Sequence, residues 1–228
     1  MTHPPRAARR RGPARKGWWI GALFAVGSVC FAVASFASQW ASAPRPGIGV
    51  TFFAGSIAFT AASYLQLTAT PRGPWRGDRL AALVQLAGTL FFNVSTFAGM
   101  QTGFDARETD LRVWTPDAFG SVCFLVASEL ALAGVCHRWV CWRTRSRDWR
   151  IAALNMLGSI AFGVAAVTSL IEPSTSEPVS AAIANAGTTF GALCFLAGAL
   201  MLTAGAGPAV TPAEETRPLA PPQPRARS

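Results

Sequence analysis

Six long apolar segments divide the chain, and each is about as long as a membrane-spanning helix. At about 1.5 Å rise per residue, roughly 20 residues cover the ~30 Å hydrocarbon core of a bilayer. The pattern therefore predicts an all-α, polytopic membrane protein with six transmembrane helices. The segments are Trp18–Gln39, Ile48–Ala69, Leu80–Gln101, Ala118–His137, Ile151–Ile171 and Ala182–Thr203.

Each segment carries the same short pattern, in which a glycine is followed four residues later by a phenylalanine. Small residues follow at the seventh and eighth positions, as Ala34 and Ser35 do in the first segment. Because residues four and seven apart share a helix face, the pattern forms a strip along each helix. The pairs are Gly27/Phe31, Gly55/Phe59, Gly88/Phe92, Gly120/Phe124, Gly158/Phe162 and Gly191/Phe195.

This strip is typical of close packing between membrane helices. Glycine lets a neighbouring backbone approach, as in other small-xxx-small contacts. Phenylalanine supplies a bulky knob, and an antiparallel neighbour with the same pattern can place its glycine beneath that ring. We therefore interpret the strip as a packing seam. The functional alternative is a groove in which the phenylalanines hold a lipid tail or another apolar ligand.

The strips also repeat with a longer period. The first and fourth segments both contain GSVCF, and the second and fifth both contain GSIAF. GTLFF in the third segment and GALCF in the sixth match more loosely. Since three crossings reverse the direction of the chain, we predict two inverted three-helix repeats, at residues 17–101 and 117–204.

The helical region, residues 17–204, is flanked by two segments that we expect to be disordered. Residues 1–16 are basic and residues 205–228 are rich in proline, and neither has much to bury. The connections between helices are too short for a further domain. Within the longest one, the sequence DLRVW is predicted to form an interfacial turn anchored by Trp114.

The charges indicate how the helices are oriented. Only 14% of the residues are charged, against about 25% in soluble domains. All 20 Lys and Arg residues lie outside the six segments, and 17 of them fall in the tails and the second and fourth connections. The positive-inside rule therefore predicts a multi-pass plasma-membrane protein with cytoplasmic N- and C-termini. Topology explains the net charge of +9, so no nucleic-acid partner is expected.

The pattern G-S-x-x-F-x-x-[small]-S resembles the YrhK-like family of small bacterial membrane proteins. Its matches are GSVCFAVAS at Gly27–Ser35, GSIAFTAAS at Gly55–Ser63 and GSVCFLVAS at Gly120–Ser128. The resemblance covers the helical region but not the tails, and the third, fifth and sixth helices depart from the pattern. The family has no established activity, so the resemblance implies an integral membrane protein and adds no catalytic residue.

Polar residues inside the segments are the chemical lead. Glu129 is the one ionisable side chain deep in any segment, and such residues are functional candidates by default. It lies about 180° around its helix from Gly120, and Tyr64, Asn93 and Asn185 fall within about 60° of that direction on theirs. We predict a second, polar face on which Glu129 and Asn93, at similar depth, form a hydrogen bond.

Three interpretations of this polar face stay open. The residues could be scattered contacts that hold helices together, a site that handles protons or cations, or a contact between copies in a homo-oligomer. A structure in which Glu129 points into lipid with no polar atom nearby would contradict the predicted face.

Catalytic and metal-binding patterns are missing from the sequence. No histidine lies inside a segment to activate a serine, and membrane serines usually bond to a carbonyl one turn back. Cys136, His137 and Cys141 cluster at the end of the fourth segment, but a zinc site needs a fourth ligand, and reversible acylation of the thiols is the alternative. We predict no enzyme activity, cofactor or metal, and no disulfide framework. The segment serines are Ser28, Ser35, Ser56, Ser63, Ser121, Ser128 and Ser159.

The sequence therefore favours a non-enzymatic integral membrane protein with a structural, assembly or stress-related role, whose partner is the lipid bilayer. The alternative is a small proton-coupled or cation transporter or channel that uses Glu129 to carry a small solute. No proline interrupts any segment, and the polar groups are few, which argues against a carrier.

Reporter fusions test the predicted orientation. In a bacterial host, a fluorescent protein fused after Ser228 should fold and fluoresce, because that end is predicted to be cytoplasmic, whereas alkaline phosphatase at the same place should be inactive. A phosphatase inserted in the connection near Asp105 is the matched control and should be active. The opposite pattern of activities would reverse the orientation.

Overall fold

Six helices long and apolar enough to cross a membrane make up most of the computed structural model. It describes residues 12–39, 45–71, 77–136, 141, 144–172, 174–175 and 177–205. The prediction of an all-helical chain with six candidate spans is confirmed. The helices are α1 (Gly12–Ala37), α2 (Arg45–Ala69), α3 (Gly77–Ala98), α4 (Ala106–Cys136), α5 (Arg147–Thr168) and α6 (Ala181–Gly205).

The helix ends differ most from the predicted ends at the starts of α1 and α4. Helix α1 begins at Gly12, inside the stretch 1–16 that was predicted to be disordered; residues 1–11 and 206–228 lie outside the described residues. Helix α4 begins well before Ala118 because Asp105 and Glu108 form a capping box. The Asp105 side chain accepts a hydrogen bond from the backbone N–H of Glu108, and the Glu108 side chain accepts one from Asp105.

The sequence DLRVW forms a π-helical turn within α4, at Asp110–Trp114. Trp114 Nε1 donates a 2.7 Å hydrogen bond to the carbonyl oxygen of Ala166, at the end of α5. The backbone N–H of Ile171 donates a 3.0 Å bond to Asp110 Oδ1. Ile171 begins a short antiparallel pair, β1 (Ile171–Glu172) with β2 (Glu177–Pro178), in the α5–α6 connection. Trp114 therefore anchors the turn to α5.

The helices form a closed ring in chain order. Each packs against the helix before it and the helix after it, and α6 returns to pack against α1. Neighbouring helices are antiparallel, as their short connections require. The buried face of each helix carries its Gly–Phe strip, so the strips meet along the axis of the ring.

Within the α1–α2, α3–α4 and α5–α6 hairpins, glycine and phenylalanine pack reciprocally. A Cβ added at Gly27 would lie 3.1 Å from the Phe59 ring, and one added at Gly55 would lie 2.9 Å from the Phe31 ring. Neither position has room for a side chain, so both rings reach the partner backbone. The other reciprocal pairs are Gly88 with Phe124, Gly120 with Phe92, Gly158 with Phe195 and Gly191 with Phe162.

The ring does not show the predicted inverted repeat of residues 17–101 and 117–204. Placing α1–α3 onto α4–α6 would preserve the order around the ring while reversing every helix. A rotation about an axis in the membrane plane reverses the helix directions but also reverses the order around the ring. A rotation about the ring axis keeps the order but leaves the helix directions unchanged. Neither rotation therefore places α1–α3 onto α4–α6. The unit that the packing repeats is the hairpin, since a threefold rotation about the ring axis carries each hairpin onto the next with its helix directions kept.

Adding a methyl group at Gly191 should destabilise the protein. The new Cβ would lie 2.5 Å from Phe162 Cδ1 and 2.9 Å from the carbonyl oxygen of Gly158. We expect Gly191→Ala to lower the free energy of unfolding by about 1–3 kcal/mol, the usual effect of overpacking. Thermal unfolding in detergent or lipid would measure it.

Gly47→Ala is the matched control for that measurement. A Cβ at Gly47, in α2, would meet nothing within 4 Å. Alanine should therefore be neutral there or stabilise the helix by up to about 1 kcal/mol. Equal stabilities of the two variants would contradict the close packing described above.

Candidate functional site

The six strip phenylalanines form two triangular layers across the ring axis. Helices α1, α3 and α5 supply one layer, whose ring centroids are 5.9, 6.0 and 6.3 Å apart. Helices α2, α4 and α6 supply the other, with separations of 5.6, 6.3 and 6.3 Å. Each ring is 6% exposed or less. The first layer is Phe31, Phe92 and Phe162, and the second is Phe59, Phe124 and Phe195.

The two layers lie directly against each other. Every hairpin contributes one ring to each layer, and the centroids of these ring pairs are 5.4, 5.1 and 5.3 Å apart in the three hairpins. Most of the contacts are edge-to-face or tilted, which the ring quadrupole favours. The result is an apolar plug in the middle of the bundle, which we call the phenylalanine plug.

A cavity lies on each side of the phenylalanine plug. The inner cavity, about 420 Å³, is at the end where α1, α3 and α5 begin, and it reaches Phe59, Phe124 and Phe195. The outer cavity, about 260 Å³, is at the opposite end and reaches Phe31. All six helices contribute to the lining of both cavities. Both are therefore centred on the ring axis.

The cavity walls carry polar side chains, and their charged members are acids. Among the described lining residues, the charged side chains are Asp78 and Asp148 in the inner cavity and Asp117 in the outer cavity. Within the described chain the one salt bridge joins Arg112 to Glu108, so none of these three acids is in an ion pair there. The uncharged polar residues are Gln66, Thr70, Gln85 and Asn155 in the inner cavity and Ser95, Thr96, Thr109, Ser169, Asn185 and Thr188 in the outer cavity.

Hydroxyl pairs join each hairpin to the next. Ser56 Oγ and Thr96 Oγ1 are 3.0 Å apart between α2 and α3. The distance is 2.8 Å between the hydroxyls of Ser128 and Ser159, and also between those of Ser35 and Thr189. Such interhelical bonds contribute about 0.6 kcal/mol each on average in a membrane. The serines considered as nucleophiles in the sequence therefore include members of these seams, and Ser28 bonds to the Phe24 carbonyl one turn back.

The structure does not bring Glu129 and Asn93 together. Gly120 packs against Phe92, so Asn93 lies at about the depth of Gly120, where the Gly–Phe strip of α4 begins. Glu129 is nine residues further along α4, about 14 Å away at 1.5 Å per residue. The expectation of equal depth is wrong, and no hydrogen bond joins the two residues in the described chain.

Glu129 lies at the periphery of the ring. Its direction is about 140° from the mean direction of the buried α4 residues around Phe124, at 100° per residue. It is half-buried and lines neither cavity. The residue that stood out in the sequence is therefore outside the axis.

The other predicted polar residues have separate environments. The Asn93 amide lies 2.9 Å from Thr60 Oγ1. When the amide oxygen accepts from the Thr60 hydroxyl, the amide nitrogen donates to Ser56 Oγ at 2.8 Å. Asn93 therefore belongs to the α2–α3 seam. Tyr64 is 58% exposed, whereas Asn185 lines the outer cavity. The four residues do not form the predicted polar face.

Sequence reasoning missed the three acids of the cavities. Asp78, Asp117 and Asp148 each lie within three residues of the predicted start of an apolar segment. An acid at that place is favourable for the helix dipole, so it has a local explanation that needs no site. An aspartate near the start of three consecutive helices was the signal that the sequence offered. Because the helices close into a ring, all three aspartates line the cavities on its axis.

Cys136 and Cys141 form a disulfide, with their Cα atoms 5.4 Å apart. The sequence analysis did not predict this bridge. It uses both thiols that had been considered as metal ligands, and His137 lies outside the described residues. Among the described residues, no group of three His, Cys, Asp or Glu side chains could hold a metal ion.

Comparison with protein-family models, curated proteins and solved structures gives no match for this chain. The phenylalanine plug, the two cavities and the seams between helices are therefore the features that bear on function.

The Cys136–Cys141 pair offers a test of redox state and orientation together. The connection after Cys136 is predicted to be cytoplasmic, where disulfides are rare. In cells we expect two free thiols, and after oxidation of the purified protein one bridge. Acid quenching followed by a mass-shifting maleimide would count the thiols, in a variant with Cys30, Cys123 and Cys194 changed to alanine. A bridge that is already present in cells would indicate that this end faces an oxidising compartment.

Proposed function

We propose that this chain is a non-enzymatic integral membrane protein with a structural, assembly or stress-related role, built as a bundle that is closed at its centre. The observation that carries the proposal is the phenylalanine plug. All six helices direct their most buried large side chains to it, and the reciprocal glycines hold it in place. A protein whose main requirement is a stable, sealed bundle needs this arrangement.

The described serines support a role without catalysis. Ser35 donates to the Phe31 carbonyl at 2.7 Å and pairs with Thr189, and Ser159 lies 2.8 Å from Ser128. No histidine is among the described residues that could activate them. These hydroxyls act in our proposal as contacts between helices.

We further propose a multi-pass plasma-membrane location with cytoplasmic termini, and membership of the YrhK-like family. Loop charges support the orientation, and the G-S-x-x-F-x-x-[small]-S pattern in the first, second and fourth helices supports the family. Large apolar side chains on the outside of the ring, such as Val33, Val94 and Val167, are more than half exposed, which suits contact with lipid tails. The bilayer is then the main partner, and a homo-oligomer stays a prediction.

The transporter alternative based on Glu129 loses its support. Glu129 lies at the periphery of the ring and lines neither of the two axial cavities. The inverted repeat that favoured a carrier is also not displayed by the ring.

Glu129→Gln separates the bundle from the Glu129 transporter. In proteoliposomes, we expect wild type and Glu129→Gln to show the same uptake as empty vesicles for protons and a panel of small cations, because the carboxylate touches neither cavity. The unfolding midpoint should also be unchanged. Saturable uptake by the wild type that disappears in Glu129→Gln would contradict the proposal.

A further inference from the structure

We propose that the ring axis is a pathway for water and small monovalent cations, which the phenylalanine plug closes in this structure. This goes beyond the bundle role, because a structural bundle needs a packed centre but has no need of a polar cavity at each end. The alignment of the cavities, the thinness of the plug and the charge of the lining support the pathway.

The two cavities lie on the ring axis, on opposite sides of the phenylalanine plug. Both are lined by all six helices, and each ends on phenylalanine rings of the plug. The inner cavity reaches one triangular layer, at Phe59, Phe124 and Phe195, and the outer cavity reaches Phe31 of the other layer. The two layers therefore lie between the cavities, with Phe24 packed against the plug on the inner side and Phe52 on the outer side.

The phenylalanine plug that separates the two cavities is thin. The two rings of a hairpin have centroids 5.1 to 5.4 Å apart. The apolar barrier is therefore about two ring layers deep, a small part of a hydrocarbon core that is ~30 Å thick. Apolar constrictions of this kind gate channels by excluding water.

The barrier opens in this proposal at the seams between hairpins. Reciprocal Gly–Phe packing ties the two helices of each hairpin together, whereas the hairpins meet through seams that contain hydroxyl pairs such as Ser128 with Ser159. An interhelical bond of this type contributes only about 0.6 kcal/mol. The α6–α1 seam is packed more closely, since Gly21 lies against the backbone of Ala199 and Thr203. In this proposal the α2–α3 and α4–α5 seams therefore open, and the rings of both layers move outward.

The charge of the cavity linings favours cations as the permeant solutes. Every charged side chain among the described lining residues is an aspartate: Asp78 and Asp148 inside, Asp117 outside. Acidic linings select cations, as in cation channels. Glu129 takes no part, so this pathway is distinct from the transporter considered above.

Flux through variants with a weakened plug tests the proposal. Proteoliposomes would carry wild type, Phe31→Ala/Phe59→Ala with one ring removed from each layer, or the lipid-facing control Phe190→Ala, at a residue 51% exposed. We expect the double variant to raise potassium flux at least about tenfold, because it removes the apolar constriction. Wild type, Phe190→Ala and the bulk-preserving Phe31→Leu/Phe59→Leu should stay at background.

Ion preference distinguishes a pathway from a damaged bundle. In the open variant potassium should pass faster than chloride, and adding Asp117→Asn should reduce that preference. Equal passage of both ions, or background flux from a folded double variant, would overturn the proposal.

Cysteine accessibility tests the cavities even if the double variant does not fold. Asn155→Cys and Asn185→Cys place thiols in the inner and outer cavities, and Val94→Cys, at a residue 55% exposed on the outside, is the lipid-facing control. Each cavity thiol should react from its own side of the vesicle, faster with a cationic reagent than with an anionic one. Unreactive cavity thiols, or reaction no faster than at Val94→Cys, would contradict water-filled, cation-attracting cavities.

Discussion

A phenylalanine ring on one helix lies against a glycine on the antiparallel neighbour, and the neighbour returns the same contact. In a bilayer, helices gain little from leaving lipid for one another, so close packing must hold them together. Glycine provides the space, and the ring fills it. Since each hairpin has two such contacts four residues apart, they fix both the distance and the relative depth of its helices. That shared depth is what places six rings in two layers.

The remaining features follow from this register. The two ring layers fill the centre of the bundle and leave a cavity lined partly by polar side chains at each end. The hydroxyl seams join each hairpin to the next. A sealed bundle and a gated axial pathway both use this architecture, and they differ in whether the seams between hairpins ever open.

Part of this structure could be predicted from the sequence, and the reasons for the rest are physical. Segment length gave the six spans, and the Gly–Phe spacing gave the buried face of each helix. Helix phase, however, says nothing about depth between helices, which is why Asn93 and Glu129 were placed at the same level. The Gly–Phe strip itself fixes the relative depth of α3 and α4, because Gly120 lies against Phe92. Likewise, GSVCF in two segments shows which helices are alike but not how they are arranged, and the cavity acids gain a common position only once α6 closes on α1.

A double-mutant cycle between Gly120 and Phe92 measures the reciprocal contact most directly. A Cβ at Gly120 would lie 2.9 Å from two atoms of the Phe92 ring. Gly120→Ala should therefore destabilise the wild type clearly but cost much less in a Phe92→Ala background, with a coupling of about 0.5–3 kcal/mol, as for residues in direct contact. Strictly additive effects on the free energy of unfolding would mean that the ring and the glycine do not touch, and would contradict the packing on which this account depends.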